Sequence, residues 1–202
     1  MTANRNRFRP INRPVFHHTT FATLKLDEMV EFYEKVAGLE SVFHGDSGAW
    51  LTNDAANHRI ALLALPGLIA PEDKGHATGL HHTAFEYDDF DAWVDNYERL
   101  ATEGIEPFMS LDHGMTMSMY YQDPEGNGVE IQVDNFGDWS RSKEYMWASQ
   151  DFSDNPIGEF FDPEKVAAER ADGLDHEEIH RRAMAGSYRP EVVPDVHLPE
   201  LW

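Results

Sequence analysis

The sequence contains no cysteine. Disulfide bonds, thiolate metal sites and a cysteine nucleophile are therefore excluded. It also has no apolar run long enough to cross a membrane and no signal-peptide pattern, and these absences favour a cytoplasmic protein.

Basic residues are scarce. The chain has 16 Lys and Arg against 37 Asp and Glu, which gives a formal net charge of −21. This charge would repel nucleic acid and anionic lipid, so we expect neither a nucleic acid nor a membrane as a partner. The remaining composition, 202 residues with 41% hydrophobic and 12% aromatic content, is typical of a globular protein with a substantial core.

The first residues differ in composition from the rest. Residues 1–14 combine prolines with Arg5, Arg7, Arg9 and Arg13. Such a segment is too polar and too often interrupted by proline for a regular element, so an extended N-terminal arm is predicted.

An internal repeat follows the arm. Residues 17–21, His-His-Thr-Thr-Phe, recur as His-His-Thr-Ala-Phe at residues 81–85. Each run is followed by apolar residues at helical spacing and then by short strand-like segments separated by turn residues. The repeat predicts an α+β domain, residues 15–135, in which two βαβββ modules at about 15–65 and 80–135 form a cupped mixed sheet.

The second module ends in a predicted β-hairpin within residues 113–130. Methionines alternate with polar residues as far as Tyr120, which is the period of a strand with one apolar and one polar face. Proline and glycine then mark a turn, and a second alternating strand carries Glu130. Tyr120 and Glu130 are therefore predicted to lie on the same face of the sheet.

The repeated histidines can be assigned to faces of the sheet. Phe21 and Phe85 are expected to point toward the helix of each module, so the second histidine of each pair, His18 or His82, points to the open face. Glu130 reaches the same face. Two imidazoles and one carboxylate form the ligand set of a 2-His-1-carboxylate metal site. A single strand histidine is more often a hydrogen-bonded structural residue, but the symmetric placement of these two favours a shared metal site.

These features resemble the vicinal oxygen chelate superfamily, and residues 113–130 resemble the signature of its type I extradiol ring-cleaving dioxygenases. The positions that fit the signature are His113, Met119, Tyr120, Asp123, Pro124, Gly126 and Glu130. Leu111 departs from it, because the family usually has a small, β-branched or Asn residue there. The resemblance covers about residues 15–134, and larger relatives have four modules, so the chain resembles the short, single-domain members.

The resemblance implies Fe(II)-dependent cleavage of a catechol-type diol by O2, with both oxygen atoms incorporated, in aromatic compound catabolism. The metal ligands that it implies are His18, His82 and Glu130, and the same donors suit Mn(II). The implied partners are a catecholic small molecule and O2, and we expect a homo-oligomer. The diol could be monocyclic, biaryl or fused-ring, and 2,3-dihydroxybiphenyl is our hypothesis.

Three further residues take catalytic roles by the same resemblance. His58, within residues 57–62, matches the histidine that assists oxygen activation, although the residues alone fit a surface-loop histidine equally well. His113 and Tyr120 would orient and polarise the bound diol by hydrogen bonding.

Two other functions remain open. A glyoxalase-like isomerase, epimerase or thiol transferase would share the fold and the metal ligands, but not the pair of His113 and Tyr120. A metal-free binding module, like the bleomycin-sequestering relatives, would lack the ligands, so the intact set of two histidines and one glutamate argues against it.

Residues 136–202 are predicted to be a partly helical C-terminal extension. Its aromatic residues suggest a lid over the open face or an interface with a second subunit, and a surface-packed tail without substrate contact fits equally well. One helix is predicted to begin after Asp162. Residues 176–180 match the H-E-x-x-H zinc pattern, but we interpret them as a chance match on a solvated, charged helix with little apolar face.

Overall fold

The first part of the fold is one βαβββ unit. A computed structural model describes residues 14–196, so the predicted arm falls outside the described residues except for Pro14. The elements of this first module are β1 Thr19–Ala22, α1 Leu26–Ala37, β2 Glu40–Gly45, β3 Gly48–Thr52 and β4 Ile60–Leu63.

The second module repeats the same order of elements. It consists of β5 His82–Tyr87, α2 Phe90–Thr102, β6 Met109–Asp112, β7 Thr116–Gln122 and β8 Gly128–Asp134. The predicted duplication of strand, helix and three strands is therefore confirmed, and so is the α+β fold class.

The strands form two hydrogen-bonded sheets. The first has the order β1-β4-β3-β2, and the second has the order β5-β8-β7-β6-β9, where β9 is Glu159–Phe160. Both sheets are mixed, because the first strand of each module pairs in parallel with the last strand of the same module. Each of the predicted modules has its own hydrogen-bonded sheet: β1 and β5 are edge strands, and no ladder joins them within the described residues.

The two modules share one core. The ring of Tyr33 in α1 is fully buried and packs against Phe21 of the first module and Phe85 of the second. In α2 the indole of Trp93, also fully buried, donates a hydrogen bond to the carbonyl of Ile131 at 2.9 Å. Each such buried side chain contributes about 1.5–3 kcal/mol through apolar surface removed from water. Phe21 and Phe85 thus face the helices, as predicted.

Single residues define two helix ends, and the one at Asp162 was predicted. Gly38 ends α1 in the left-handed region, with φ 62°, where a glycine carries no steric penalty. Asp162 begins α5, Pro163–Ala171, by accepting a hydrogen bond from the backbone N–H of Glu164 at 3.0 Å. Within residues 14–196, no helix combines the length and the apolar character needed to cross a membrane.

The C-terminal extension adds a strand and four helices in its described part. Besides α5 these are α3 Trp139–Ala148, α4 Gln150–Asp154 and α6 His176–Met184. Strand β9 pairs antiparallel with β6, with Phe160 opposite Leu111. Arg170 of α5 forms ion pairs with Asp95 and Glu98 of α2. The extension therefore continues the second sheet and packs on its helix.

The prediction of a solvated helix at residues 176–180 is wrong. Ile179 and Ala183 are buried, so α6 docks on the domain by a narrow apolar face. His176 stacks on Phe90 with ring centroids 4.3 Å apart, and His180 also points inward. The helix was misjudged because two apolar residues were too few to mark a buried face, and its other inward side chains are polar.

The hairpin turn is held by the buried carboxylate of Asp123. One oxygen accepts the backbone N–H groups of Glu125 and Asn127, at 3.0 and 2.8 Å. The other accepts the side-chain amide of Asn127 at 2.6 Å and the hydroxyl of Tyr33 at 3.3 Å. Because Tyr33 belongs to α1, this carboxylate ties the turn before the Glu130 strand to the first module.

We expect Asp123→Ala to lower the free energy of unfolding by about 2–4 kcal/mol, because several buried donors would lose their acceptor. Urea unfolding followed by circular dichroism measures the effect. Asp88→Ala removes an exposed carboxylate from the loop before α2 and serves as the control. Equal midpoints for the two variants would contradict this account of the turn.

Candidate active site

The open face of the second sheet carries the polar residues predicted to lie there. In the ladders Ala84 of β5 is in register with Glu130 of β8, and Glu130 is in register with Tyr120 of β7. Side chains in register share a face of a sheet, while their neighbours along each strand, such as Phe85 and Ile131, point into the core. The open face thus places a small residue, a carboxylate and a phenol side by side.

His82 and Glu130 meet at this face. The Nε2 atom of His82 lies 3.0 Å from Oε2 of Glu130, whose side chain is only 7% exposed. The other carboxylate oxygen accepts a hydrogen bond from the Tyr120 hydroxyl at 2.9 Å. Burial raises the pKa of Glu130, but the hydrogen bond and the charge of His82, with smaller contributions that include the Tyr120 hydrogen bond, outweigh burial and hold that pKa below its ordinary value. An ionised carboxylate beside an imidazole results.

Gly128 makes this approach between strands possible. It is in register with His82, and an added Cβ at Gly128 would lie 2.9 Å from the carbonyl oxygen of His81 and 3.0 Å from Cβ of His82. The Nδ1 atom of His82 in turn lies 2.8 Å from Nδ1 of His81. The sequence marks Gly128 only as one of the glycines beside the hairpin turn. Its role could have been predicted from its position, because it stands two residues before Glu130 and therefore on the same face of the strand.

His113 and Tyr120 extend the site away from the carboxylate. The Nε2 atom of His113 lies 2.8 Å from the hydroxyl oxygen of Tyr120, and its Nδ1 lies 2.6 Å from the carbonyl oxygen of Ile157. A carbonyl can only accept, so Nδ1 carries a hydrogen. Burial lowers the pKa of His113, and the charges of Glu130 and Asp112 oppose that shift only in part.

The hydrogen bonds that link His113, Tyr120 and Glu130 form a path along which a proton can be transferred. The phenol of Tyr120 has one hydrogen and two neighbours. When that hydrogen points to Glu130, His113 must donate through Nε2, which requires the imidazolium form because Nδ1–H is engaged with Ile157. When it points to a neutral His113, Glu130 loses this bond. Burial, followed by the charge of Glu130, raises the pKa of Tyr120 and keeps it a phenol.

The remaining predicted residues lie together in the first module. His18 directly precedes β1, and its ring centroid is 4.3 Å from that of His58 and 5.2 Å from that of His17. The ligand atoms of these three histidines all lie within 4.8 Å of one another. Burial, followed by the charges of His18 and His17, lowers the pKa of His58.

The structure therefore arranges the predicted site residues in two clusters. His82, Glu130, Tyr120 and His113 form one, and His18 with His58 belongs to the other. Among residues 14–196 the cluster of His17, His18 and His58 is the group of three that meets the 4.8 Å spacing, so His18 is not within this spacing of both His82 and Glu130. Ligation by His18, His82 and Glu130 together stays a prediction.

A cavity of about 660 Å³ opens between the two modules. Its lining includes His82 and Ala84 of the open face, together with the largely exposed apolar side chains of Phe16, Leu80 and Trp139. This volume falls in the range of small-molecule sites. The cavity therefore reaches His82, whose Nε2 atom contacts Glu130.

A carboxylate organises one wall of this cavity. Glu86, two residues beyond Ala84 on the same strand face, accepts hydrogen bonds from the indole of Trp139 at 2.6 Å and from the amide of Gln132 at 2.7 Å. Glu86 and Gln132 were not predicted as site residues, although they stand two residues after Ala84 and Glu130 on the same strand faces. Trp139 lies in the extension, whose aromatic residues were predicted to form a lid or an interface.

Paired βαβββ modules with histidine, glutamate and tyrosine on the open face define a class of protein. Residues 15–131 match the model of the Glyoxalase/Bleomycin resistance protein/Dioxygenase superfamily, and the chain belongs to this family. A glyoxylase/bleomycin resistance protein/dioxygenase domain from Frankia sp. EAN1pec has the same fold, with a TM-score of 0.50 and 16% identity over 61% of this chain and 99% of that one.

Two relatives are similar over nearly the whole chain. Biphenyl-2,3-diol 1,2-dioxygenase 2 of Rhodococcus globerulus is 36% identical over 89% of this chain and 93% of its own length. Biphenyl-2,3-diol 1,2-dioxygenase 3 of the same organism is 36% identical over 85% of this chain and 90% of its own length. Both alignments are longer than the family match, so the similarity extends beyond the paired modules.

Proposed function

We propose that the chain is an extradiol dioxygenase, which opens the ring of a catechol-type diol beside its two hydroxyl groups and adds both atoms of O2. The observation that carries this proposal is the linked set of His82, Glu130, Tyr120 and His113 on the open face. It is supported by the similarity to two biphenyl-2,3-diol 1,2-dioxygenases. A glyoxalase-like enzyme would share the metal ligands but not the pair of His113 and Tyr120.

Fe(II) is the proposed metal, and Mn(II) suits the same donors. Imidazole nitrogen and carboxylate oxygen are donors that both ions accept, and the chain offers no thiolate. The convergence of His82 Nε2 and Glu130 Oε2 supplies two adjacent donors, and His18 is proposed as the third. When bound, the ion would bring the diol and O2 together and pass electron density between them.

The residues of the chain would supply positioning and proton transfer. Tyr120 can donate a hydrogen bond to a diol oxygen next to Glu130, and His113 can replace the proton of Tyr120 through Nε2. The imidazole of His58, beside His18, can take a proton from the diol and return it. Proton transfer by a positioned group typically accelerates a reaction by about 10²–10⁴-fold.

The cavity favours a diol with a second ring. Its space exceeds what one catechol needs, and Phe16, Leu80 and Trp139 offer flat or aliphatic surfaces near the pair of His82 and Glu130. A biaryl diol could hold its two oxygens at that pair and rest its distal ring on Trp139. We therefore propose 2,3-dihydroxybiphenyl or a close analogue as the substrate.

A homo-oligomer is also part of the proposal. Strand β2 is one of the two edge strands of the first sheet, and Val42 and Phe43 on it are largely exposed. Exposed apolar side chains on an edge strand favour pairing with a second copy of the chain.

Glu130→Gln should abolish both metal retention and turnover, because an amide is a weaker ligand than a carboxylate. Protein reconstituted with Fe(II) without oxygen is desalted, its iron is measured by atomic absorption, and oxygen uptake is followed with 2,3-dihydroxybiphenyl. Glu40→Gln, at an exposed strand position, is the control. Full iron content in the Glu130 variant would remove this residue from the ligand set.

His58→Gln should keep iron and diol binding but lower kcat about 100-fold, because a proton-transfer group is lost. The measurement compares iron content, diol affinity by titration, and oxygen uptake. His44→Gln, an exposed histidine paired with Asp27, is the control. A near-normal kcat for the His58 variant would refute its catalytic assignment.

Trp139→Ala should raise KM for the biaryl diol roughly 5- to 150-fold, since a distal ring would lose an apolar contact of about 1–3 kcal/mol. KM for unsubstituted catechol should change less than about twofold, because catechol has no distal ring to contact Trp139. Trp147→Ala, on the same helix and more exposed, is the control. An equal rise of KM for both diols would place Trp139 outside the distal-ring contact.

A further inference from the structure

The segment that carries His113 is enclosed by the C-terminal extension. The loop before β9 contacts His113 and Asp112, helix α6 reaches Asp112, and helix α3 covers Gly114. Residues 112–114 connect β6 to β7 and precede the strand of Tyr120. The extension therefore surrounds one side chain of the proposed catalytic set on several sides.

The first contact is made through the backbone of the loop. The carbonyl of Ile157 accepts from Nδ1 of His113 at 2.6 Å. Asn155 holds this loop, because its side chain accepts from the N–H of Gly158 at 3.0 Å and donates to the carbonyl of Gly158 at 2.9 Å. The acceptor that faces His113 therefore belongs to a loop that is held by its own hydrogen bonds.

Gly158 is required for this approach. It has φ +90°, and an added Cβ would overlap the carbonyl of Asp112 and lie 2.8 Å from Cα of His113. Distances below 3.0 Å force atoms apart, and here both neighbours are backbone, which cannot turn away. A side chain at position 158 would therefore push the loop off the segment that bears His113.

The second contact holds the backbone beside His113. Asp112 is fully buried, and its carboxylate accepts from the N–H of Gly114 at 2.9 Å and from Nδ1 of His180 at 2.7 Å. The amide of Asn135 lies 3.2 Å from the same carboxylate, and Nε2 of His176 lies 2.9 Å from the amide oxygen of Asn135. Both histidines of the H-E-x-x-H pattern thus act on this segment.

The third contact closes the remaining side. Gly114 has φ +83°, and the ring of Tyr145 occupies the place that a Cβ would need. Tyr145 is itself packed against Phe136, with ring centroids 5.5 Å apart. The turn at residues 112–114 therefore has little freedom to move.

We propose that the extension is a positioning element for His113. The Ile157 carbonyl fixes the hydrogen on Nδ1, Gly158 permits the close approach, and the bond of His180 to Asp112 holds the backbone, so that Nε2 stays directed at Tyr120. The effect on turnover rests on the proposed function, whereas the ring geometry does not. Gly158, Asp112 and His180 act through His113 and are positioning residues. If the extension only added stability, disturbing it would lower the unfolding temperature without a separate loss of turnover.

Gly158→Ala is tested against Gly173→Ala. Gly173 lies after α5 with φ +92°, and an added Cβ there meets no atom within 4 Å. Both variants carry the backbone strain of alanine at positive φ, but only the first also collides with residues 112 and 113. The difference between them isolates the displacement of His113.

With iron-loaded protein and 2,3-dihydroxybiphenyl, we expect Gly158→Ala to lower kcat about 10- to 100-fold, as misplaced catalytic groups do. KM should stay within about threefold and iron content should equal that of the unchanged protein, since the metal ligands lie on other strands. A kcat within about twofold of Gly173→Ala would overturn the proposal, as would a loss of iron that accounts for the loss of activity.

If Gly158→Ala does not fold, two substitutions of His180 that add no backbone collision test the same proposal. His180→Leu removes the donor to Asp112, and His180→Asn restores it because the amide nitrogen occupies the place of Nδ1. We expect kcat to fall roughly tenfold for the first and to recover to within about threefold for the second. Equal kcat values in His180→Leu and the unchanged protein would overturn the proposal.

The ¹⁵N chemical shifts of the His113 ring test the positioning of His113 separately from the proposed function. In Zn(II)-loaded protein labelled with ¹⁵N-histidine, His113 should show a protonated Nδ1, and this signal should change in Gly158→Ala but not in Gly173→Ala. An unprotonated Nδ1 in the unchanged protein would overturn the positioning role. Absence of oxygen uptake with every diol, together with the expected shifts, would refute the proposed function alone.

Discussion

The pairing of β8 with β5 and β7 is the constraint on which the rest of the site depends. This register puts Glu130 between Ala84 and Tyr120 on the open face. A shift by one residue would turn Ile131 outward and bury Glu130 among apolar side chains, where an unpaired carboxylate is costly. The correct register instead gives the carboxylate two donors, His82 and Tyr120, so that the fold and the site require the same alignment.

The first module contributes two histidines that lie just outside its sheet. Thr19 donates to the carbonyl of Arg59 at 3.0 Å, and this pairing of β1 with β4 brings His18 and His58 next to each other just outside the sheet. Both residues lie before the first ladder position of their strands, so their side chains are not fixed by register as Glu130 is. The carboxylate and the phenol are thus held by the second sheet, and the imidazole pair extends from the end of the first.

Much of the fold was predictable because its signals are local. The repeat, the two-residue period of β7 and β8, and the common face of Tyr120 and Glu130 follow from neighbouring residues. The role of the extension was not predictable, because the contacts of Ile157 and Gly158 with the His113 segment use backbone atoms of distant residues, which no side-chain pattern marks. The absence of a ladder between β1 and β5 within the described residues likewise depends on how the two modules pack against each other.

The surroundings of His113 explain why an extension should be placed there. Burial alone would make the protonated ring unfavourable, and the pKa of His113 is indeed lowered, with burial as the main cause. The charges of Glu130 and Asp112 oppose this lowering of the pKa, and so does the hydrogen bond to the carbonyl of Ile157. The extension supplies the carbonyl of Ile157 directly. Through His180 it also holds the carboxylate of Asp112 in place. The extension therefore contacts the ring and also offsets part of the effect of burial on the pKa of His113, and both effects bear on its use in proton transfer.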